Sequence, residues 1–195
     1  VLHLGGRLLP YMCIIARYVN WVGFVLTKKK YEKCSALYEF CREEDNIADD
    51  ENKIEVKKDK FIKCRNSFVN KNYDNPVIKN MWNLINEFSI STKIVDDLFE
   101  GIYSDIKESV NLKSKKELLI YSYRGAGTVG LMMAKILNVH KEQSLKAAID
   151  LGIAMQLTNI SRDVMEDKKN NRSYINESFE DIETTIKLSE KFYEK

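Results

Sequence analysis

The stretch that decides the fold is Met155–Asp167, which reads MQLTNISRDVMED. Read as an α-helix, with a turn of about 100° per residue, it forms one polar stripe flanked by apolar residues: Gln156, Asn159, Asp163 and Asp167. Polar oxygens are costly to bury without a partner, and two carboxylates one turn apart repel each other. A divalent cation such as Mg²⁺ binds carboxylate oxygens and would remove both costs. This stretch alone favours a metal-binding stripe and an ordinary exposed acidic face equally.

A second acidic stretch lies earlier in the chain, where residues 41–50 read CREEDNIADD. The sequence therefore contains two D-x-x-x-D pairs, each close to an arginine: Asp45 and Asp49 follow Arg42, and Asp163 and Asp167 follow Arg162. One such pair is common by chance. Two pairs on long helices favour a cage in which divalent ions polarise the oxygens of a diphosphate and arginines bind its remaining oxygens. Two solvated helical faces are the alternative interpretation.

The composition favours a single, mostly helical domain, which we expect to cover residues 1–195. Of the 195 residues, 44% are hydrophobic and 31% are charged, with only two prolines and eight glycines. Helix breakers this scarce are typical of helical proteins. The net charge of +2 and the scattered aromatic residues argue against nucleic-acid binding. Four cysteines lack zinc-ligand spacing, so we expect reduced thiols in a cytoplasmic protein.

Hydrophobic periodicity predicts a series of helices. They cover residues 31–50, 59–70, 77–88, 91–106, 115–137 and 142–168, and a further one begins near 173. Residues 72–76 have the composition of a turn, and Thr92 is the predicted N-cap of the fourth helix. Trp82 lies a quarter-turn away from the apolar face of its helix, so its burial is not predicted. No alternating strand pattern persists, and the expected fold class is all-α.

Three glycines between residues 125 and 130 interrupt the predicted helix 115–137. Each costs about 1 kcal/mol relative to alanine in a helix interior, so their presence needs a specific reason. Tyr123, Gly127, Gly130 and Ala134 share one face of this helix. The face predicts either a groove in which another chain passes close to the backbone or close packing against a second helix. The spacing favours neither.

Residues 8–26 are largely apolar, but Pro10, Arg17 and Asn20 interrupt them. A membrane-spanning helix needs roughly 20 nearly uninterrupted apolar residues, and no convincing signal-peptide cleavage site follows. We therefore expect a buried or membrane-touching helix here, and loose peripheral membrane contact. The first residue is Val1 rather than Met, so the sequence could be a fragment of a longer chain.

Three ordered motifs resemble a known family. They are ALYEFCREEDNIADDE (36–51), YSYRGAGTVGLMM (121–133) and LGIAMQLTNISRDVMED (151–167), and the likeness runs from about residue 21 to residue 174. The motifs are similar to those of the trans-isoprenyl diphosphate synthases of the squalene/phytoene synthase family. Within that family, the YSY and TVGLM runs are most similar to phytoene synthases.

The resemblance implies a fold and an activity. The fold would be an isoprenoid-synthase helical bundle around a central cavity. The activity would be the head-to-head (1'-1) condensation of two geranylgeranyl diphosphates to phytoene, through a cyclopropylcarbinyl diphosphate, in carotenoid biosynthesis. Mg²⁺, or Mn²⁺ in its place, would be the cofactor, and no NADPH is expected. The alternatives are a squalene or dehydrosqualene synthase that uses farnesyl diphosphate, and a non-catalytic relative that acts as a scaffold. Other carotenoid-pathway enzymes would be partners.

The resemblance also implies roles for individual residues. The metal ligands would be Asp45, Asp49, Asn159, Asp163 and Asp167. The catalytic side chains would be Tyr38, Arg42, Tyr121 and Arg162, and Arg42, Arg162 and Arg172 would bind diphosphate. The residues that line or shape the prenyl tunnel would be Trp21, Phe24, Gly130, Met133, Gly152, Met155 and Gln156. Taken singly, each tyrosine and methionine is explained equally well by core packing.

The chain departs from the family pattern at four points. Asn46 stands where the family has aspartate, Arg124 where it has tyrosine, and Gly125 where it has valine. These changes weaken one acidic site by a charge, introduce a cation beside the tunnel, and loosen the tunnel wall. The sequence also ends at Lys195, so we expect the C-terminal helices that close the family's cavity to be missing from it.

Overall fold

The computed structural model describes residues 27–49 and 52–195, which form an all-α fold. The helices are α1 (Lys28–Asp49), α2 (Ile54–Val69), α3 (Pro76–Phe88), α4 (Thr92–Asp105), α5 (Lys115–Ser122), α6 (Thr128–Ile136), α7 (Glu142–Arg162), α8 (Val164–Lys169) and α9 (Phe179–Tyr193). Two short strands, β1 (Val110–Asn111) and β2 (Arg172–Ser173), pair in parallel. The predicted all-α class is confirmed. The two strands are an addition that the sequence pattern did not predict, since each is only two residues long.

Polar side chains set the starts of several helices. Asn75 begins α3 by accepting hydrogen bonds from the backbone N–H groups of Val77 and Ile78, which satisfies donors that have no partner within the helix. α4 begins in the same way, because the Ser91 hydroxyl accepts a hydrogen bond from Lys93 N–H at 3.3 Å. The prediction of Thr92 as the cap was therefore wrong by one residue. Ser91 has the extended backbone typical of an N-cap, and Thr92 is the first residue of the helix.

The first hydrophobic core has a cluster of aromatic rings and is formed by α1, α2, α3, α4 and α6. Phe40, Phe61 and Phe99 are fully buried, and Phe99 makes edge-on contacts with the other two at ring separations of 5.9 Å. Trp82 is also buried, because it stacks on Phe68 at 5.1 Å and donates its indole N–H to the Phe68 carbonyl. Its position off the apolar face is thus compensated by a partner on α2.

The second hydrophobic core lies around α7. It contains Val110, Leu118, Tyr121, Ile153, Leu157, Ile160 and Tyr174. α9 packs along α7, while α6 packs against both α7 and α1. The helices that carry the two acidic stretches are therefore joined through α6.

The predicted helix 115–137 contains a π-helical turn, Tyr123–Gly127. Thr128 N–H donates to the carbonyl of Tyr123, five residues back, which is the hydrogen-bond pattern of a π-helix. The predicted helix is confirmed, since residues 115–136 are helical without a break. The π-turn inside it was not predicted, because a single inserted residue hardly disturbs the apolar periodicity. Such π-turns are frequent at functional sites.

The predicted helix 142–168 is interrupted at Asp163, which has φ −101° and ψ 13° and separates α7 from α8. The helix predicted from residue 173 onward begins later, at Phe179, where the Ser178 hydroxyl accepts a hydrogen bond from Asp181 N–H. Within the described residues, no helix is both long enough and apolar enough to cross a membrane. Residues 8–26, with Trp21 and Phe24, lie outside the described part of the chain.

Candidate active site

The first acidic stretch lies on α1. Arg42 Nη1 donates a hydrogen bond to the Tyr38 hydroxyl at 3.1 Å, so these two predicted catalytic residues are in contact. Asp45 lies one turn further along and is only 5% exposed. The side chain of Asp49 lies outside the described part of the structure, so its place beside Asp45 stays a prediction.

Glu44 is a buried carboxyl that the sequence interpretation missed. It is completely buried, and the Cys64 thiol donates a hydrogen bond to its Oε1 at 2.6 Å. Burial and the nearby charge of Glu43 raise the pKa of Glu44 to about 7, although the Cys64 hydrogen bond acts in the opposite direction. A signal was available, because Glu44 shares its helix face with the buried Leu37 and Cys41.

Two buried amides lie on α7, where Gln156 is 1% exposed and Asn159 is 4% exposed. Within the described residues, neither Gln156 Oε1 nor Asn159 Nδ2 has a hydrogen-bond partner. Buried polar atoms without a partner are rare in folded proteins. Gln156 also faces the π-turn, since its Nε2 would lie 3.9 Å from a Cβ atom placed on Gly125. These amides therefore mark a polar site beside the π-turn.

The remaining tunnel residues have ordinary packing contacts. Met133 and Met155 are half-buried against the first core, and Gly130 is half-buried on α6. These positions fit both a tunnel wall and core packing.

Arg162 and Asp163 pair with each other at the break between α7 and α8. The guanidinium donates from Nε and Nη2 to the two carboxylate oxygens, at 2.7 and 2.6 Å. This hydrogen bonding raises the pKa of Arg162. Asp167, by contrast, is only 8% exposed. Among the described side chains, no group of three or more histidines, cysteines, aspartates and glutamates is placed to hold a metal ion.

Tyr121 belongs to a hydrogen-bonded group with Asp105 and Tyr174. The Tyr121 hydroxyl lies 2.9 Å from Asp105 Oδ2, and the Tyr174 hydroxyl lies 3.0 Å from Asp105 Oδ1. The two hydroxyl oxygens are 3.2 Å apart, and the ring centroids are 4.7 Å apart. Sequence reasoning missed Asp105 and Tyr174 because they are 16 and 53 residues away from Tyr121.

Arg172 lies next to this group. A cavity of about 10 Å³ is lined by Asp167, Arg172, Tyr174, Ile160, Val164 and Ile175. The pairing of β1 with β2 holds Arg172 in place, since the backbone hydrogen bonds on either side of it are 3.1 and 3.0 Å long. The structure therefore brings together the predicted Asp167 and Arg172.

The glycines bring α7 close to the π-turn. A Cβ atom on Gly152 would lie 2.4 Å from the carbonyl oxygen of Ala126 and 2.9 Å from Cα of Gly127. A Cβ atom on Gly127 would lie 3.2 Å from Cγ2 of Ile149. For Gly127, the structure thus supports close helix packing, one of the two interpretations that the sequence left open, and Gly152 makes the matching approach from α7. This packing places Gln156 beside the π-turn.

A comparison with models of known families shows where these motifs belong. The model described as Squalene/phytoene synthase matches residues 19–179. The chain belongs to the squalene/phytoene synthase family. The resemblance seen in the sequence is confirmed, and the matched range contains both acidic stretches and the π-turn.

Curated members of this family are similar to the chain. The chloroplastic phytoene synthase of an Oncidium hybrid cultivar is 30% identical over 161 residues, which are 77% of this chain and 39% of that protein. The 15-cis-phytoene synthase of Pantoea ananas is 30% identical over 151 residues, which are 71% of this chain and 48% of that protein. The chain thus spans less than half the length of these relatives.

Two solved structures share the fold. A dehydrosqualene synthase in complex with ligand superposes with a TM-score of 0.76 and 25% identity, over 96% of this chain and 75% of that chain. A squalene synthase from Alicyclobacillus acidocaldarius has a TM-score of 0.65 and 14% identity, over 96% of this chain and 80% of that chain. The predicted isoprenoid-synthase fold is therefore confirmed.

Proposed function

We propose that the protein is a prenyltransferase that joins two geranylgeranyl diphosphates head to head to form phytoene. The observation that carries the proposal is the pair of buried amides on α7 beside the π-turn, because Gln156 Oε1 and Asn159 Nδ2 have no hydrogen-bond partner within the described residues. Buried polar atoms of this kind are costly unless a bound group completes the site. A diphosphate with its cations supplies such partners. The phytoene synthases among the relatives support the choice of product.

Mg²⁺ fits the donor atoms of the proposed site. Carboxylate and amide oxygens are the ligands that Mg²⁺ prefers, together with phosphate oxygens and water. The buried Asn159 amide has one atom without a hydrogen-bond partner among the described residues, Nδ2, and this donor suits a phosphate oxygen rather than the metal. Asp45 and Asp49 would hold metal on α1, and Asn159, Asp163 and Asp167 on α7 and α8. Mn²⁺ fits the same oxygens. When bound, the metal would polarise the diphosphate oxygens and favour departure of the leaving group.

The chain's own residues would bind and orient the diphosphate. Arg42 and Arg172 would donate to its oxygens, because the planar guanidinium matches phosphate geometry. Tyr38 already accepts a hydrogen bond from Arg42 and would hold that side chain in position. Met133 and Met155, half-buried against the first core, would exclude water from the allylic cation that forms when diphosphate leaves.

A second candidate function uses farnesyl diphosphate and yields dehydrosqualene. The observation in its favour is the overlap with the dehydrosqualene synthase structure, which covers 96% of this chain. Chain length separates the two candidates, since the first substrate has one more isoprene unit than the second.

Product analysis tests both candidates. The complete protein is incubated with labelled geranylgeranyl or farnesyl diphosphate, with Mg²⁺ or with excess chelator, and hydrocarbons and free diphosphate are measured. We expect phytoene from geranylgeranyl diphosphate only, and no diphosphate release in chelator. Dehydrosqualene as the main product would favour the second candidate. Release at an unchanged rate in chelator would contradict the metal-dependent site.

We also propose cytoplasmic localisation with peripheral membrane contact. The apolar residues 8–26 and the insolubility of a C40 hydrocarbon in water support this proposal. Fractionation of cells that express the complete protein tests it. We expect part of the protein in the membrane pellet and its release by mild detergent, and a wholly soluble protein would contradict the proposal.

A non-catalytic scaffold is the competing class of function. Asp45→Ala and Asp163→Ala separate the two in cells, because a scaffold needs the fold but not the acidic side chains. Loss of the terpenoid product in both variants, with normal protein levels, supports the enzyme. Unchanged biological function in both variants would support the scaffold.

A further inference from the structure

We propose that Asp105 is a positioning residue, which orients Tyr121 and couples it to the strand that carries Arg172. The inference rests on the proposed function, since it assigns Asp105 a task in diphosphate release by the same site. Asp105 lies outside the two acidic stretches, at the C-terminal end of α4. Its importance follows from the groups that contact its carboxylate.

The carboxylate of Asp105 accepts from both tyrosines. Tyr121 donates to Oδ2 at 2.9 Å, and Tyr174 donates to Oδ1 at 3.0 Å. A phenol has a single proton to donate. The Tyr121 hydroxyl also lies 3.2 Å from the Tyr174 oxygen, but Asp105 Oδ2 at 2.9 Å is the nearer acceptor. The carboxylate therefore directs the Tyr121 proton toward itself, and the Tyr121 oxygen keeps its capacity to accept. Charge-assisted hydrogen bonds of this kind are roughly twice as strong as neutral ones, so the orientation is well defined.

Both tyrosines are held tightly at this position. Tyr121 is 6% exposed and Tyr174 is 4% exposed, and both belong to the second core. Burial limits the rotation of the rings, and the contact with Asp105 then selects the direction of each hydroxyl proton. An acceptor oxygen at Tyr121 would stabilise positive charge on a substrate and would not protonate it. This is the electrostatic role that ionisation of an allylic diphosphate requires.

The hydrogen bond from Tyr174 to Asp105 also fixes the backbone next to Arg172. Tyr174 follows β2 directly and lies two residues after Arg172. β1 holds β2 through backbone hydrogen bonds, and Tyr174 and Arg172 line the same small cavity as Asp167. The single carboxylate of Asp105 therefore holds Tyr121 on α5 and, through Tyr174, the strand β2 that carries Arg172.

A double-mutant cycle tests the role of Asp105. Asp105→Asn keeps the size of the side chain but removes its charge and one acceptor, and Tyr121→Phe removes the hydroxyl that Asp105 orients. The complete protein is assayed for diphosphate release from geranylgeranyl and farnesyl diphosphate, and kcat and KM are determined separately. Asp96→Asn is the matched control, because Asp96 lies on the same helix with its side chain 49% exposed.

We expect Asp105→Asn to lower kcat by about 10- to 100-fold, as is typical when a supporting hydrogen bond is lost, while KM changes by less than about 2-fold. In the Tyr121→Phe background the same change should lower kcat several-fold less than in the wild type, because only the anchoring of the Arg172 strand then remains to be lost. Asp96→Asn should have no effect. Equal losses in both backgrounds would overturn the inference and leave the proposed function intact.

Two further measurements keep the outcomes distinct. Thermal unfolding shows whether each variant is folded. If Asp105→Asn does not fold, Tyr174→Phe takes its place, and we expect a loss of about 3-fold that becomes smaller when Tyr121 is also changed. An undiminished loss there would overturn the inference. A wild-type protein that releases no diphosphate from either substrate would overturn the proposed function, and with it the role of Asp105.

Discussion

The two acidic stretches have the same spacing and the same kind of neighbouring arginine, yet they have different local structures. On α1, the helix is continuous and Arg42 contacts Tyr38, one turn away. Between α7 and α8, the helix breaks at Asp163, and Arg162 pairs with the aspartate that directly follows it. Spacing therefore predicts which residues share a face, but not which groups they contact. The contacts depend on where each helix is anchored.

The anchors of the two helices differ in kind. α1 contains no glycine and is held by large side chains, among them the fully buried Phe40 and Leu37. α7 is held by a close backbone contact. Gly152 has no side chain, and this allows the backbone of α7 to approach the π-turn at Ala126. A core of large side chains can adjust by small rotamer shifts, whereas a backbone contact has no such freedom.

The largest expected effect is on the rate of diphosphate release, when one aspartate of either acidic stretch is replaced. Asp45→Ala and Asp167→Ala should each lower the rate of diphosphate release by about 100-fold or more, since each removes a buried charge from the proposed site. Glu39→Ala is the matched control on α1, because Glu39 is exposed, and it should change the rate by less than about 2-fold. Release assays on the complete protein provide the measurement. A normal rate in Asp45→Ala would confine the active site to the second stretch.

The second largest effect tests the anchor of α7. In Gly152→Ala, the new Cβ atom would lie 2.4 Å from a backbone oxygen, so the helices must move apart. We expect the free energy of unfolding to fall by about 2 kcal/mol, as measured by chemical denaturation.

Gly125→Ala is the control for that experiment. The nearest atom to its new Cβ would be Gln156 Nε2 at 3.9 Å, an ordinary contact, and none of the described glycines has a positive φ. Alanine should therefore raise the free energy of unfolding by about 0.5 kcal/mol, through the lower entropy of the unfolded chain. Equal destabilisation by both substitutions would mean that the Gly152 contact does not anchor α7.

The contrast also shows what the sequence could predict. The helices and their apolar faces were predictable, because the period of 3.6 residues is a local property. The buried face of α1 was predictable too, and Glu44 lies on it. The break at Asp163 was not predictable, because the hydrogen bond between the Asp163 carboxylate and Arg162 does not show in the helical periodicity. The hydrogen-bonded group around Asp105 could not be predicted from local sequence, because it joins residues up to 69 positions apart.

A smaller effect concerns the pH dependence of the first stretch. Burial raises the pKa of Glu44 from 4.5 to about 7, so between these values the folded protein holds a proton that the unfolded chain has released. The stabilisation from the protonated carboxyl is complete below about pH 4.5 and is lost as the pH rises through about 7. We expect the free energy of unfolding, measured in chelator, to fall by about 2 kcal/mol between pH 5 and pH 7 because of this group.

Glu44→Gln should abolish that part of the pH dependence, since the amide does not titrate. Glu39→Gln is the matched control, because Glu39 is exposed on the same helix. If the free energy of unfolding depended on pH identically in wild type and Glu44→Gln, Glu44 would not titrate with a raised pKa, and the prediction would be wrong.

The smallest effect concerns the ion pair of the second stretch. The side chain of Arg162 is 54% exposed and that of Asp163 is 23% exposed, and exposed ion pairs contribute little to stability. Arg162→Gln should therefore lower the free energy of unfolding by less than about 0.5 kcal/mol, as measured by chemical denaturation at two salt concentrations.

Backbone hydrogen bonds continue across the break, from Asp163 N–H to the Asn159 carbonyl and from Asp167 N–H to the Asp163 carbonyl. These bonds should hold α8 in line with α7 without the ion pair. A loss above about 2 kcal/mol would instead show that the Arg162–Asp163 contact is what positions Asp167, and would make the second stretch depend on its arginine for structure as well as for binding.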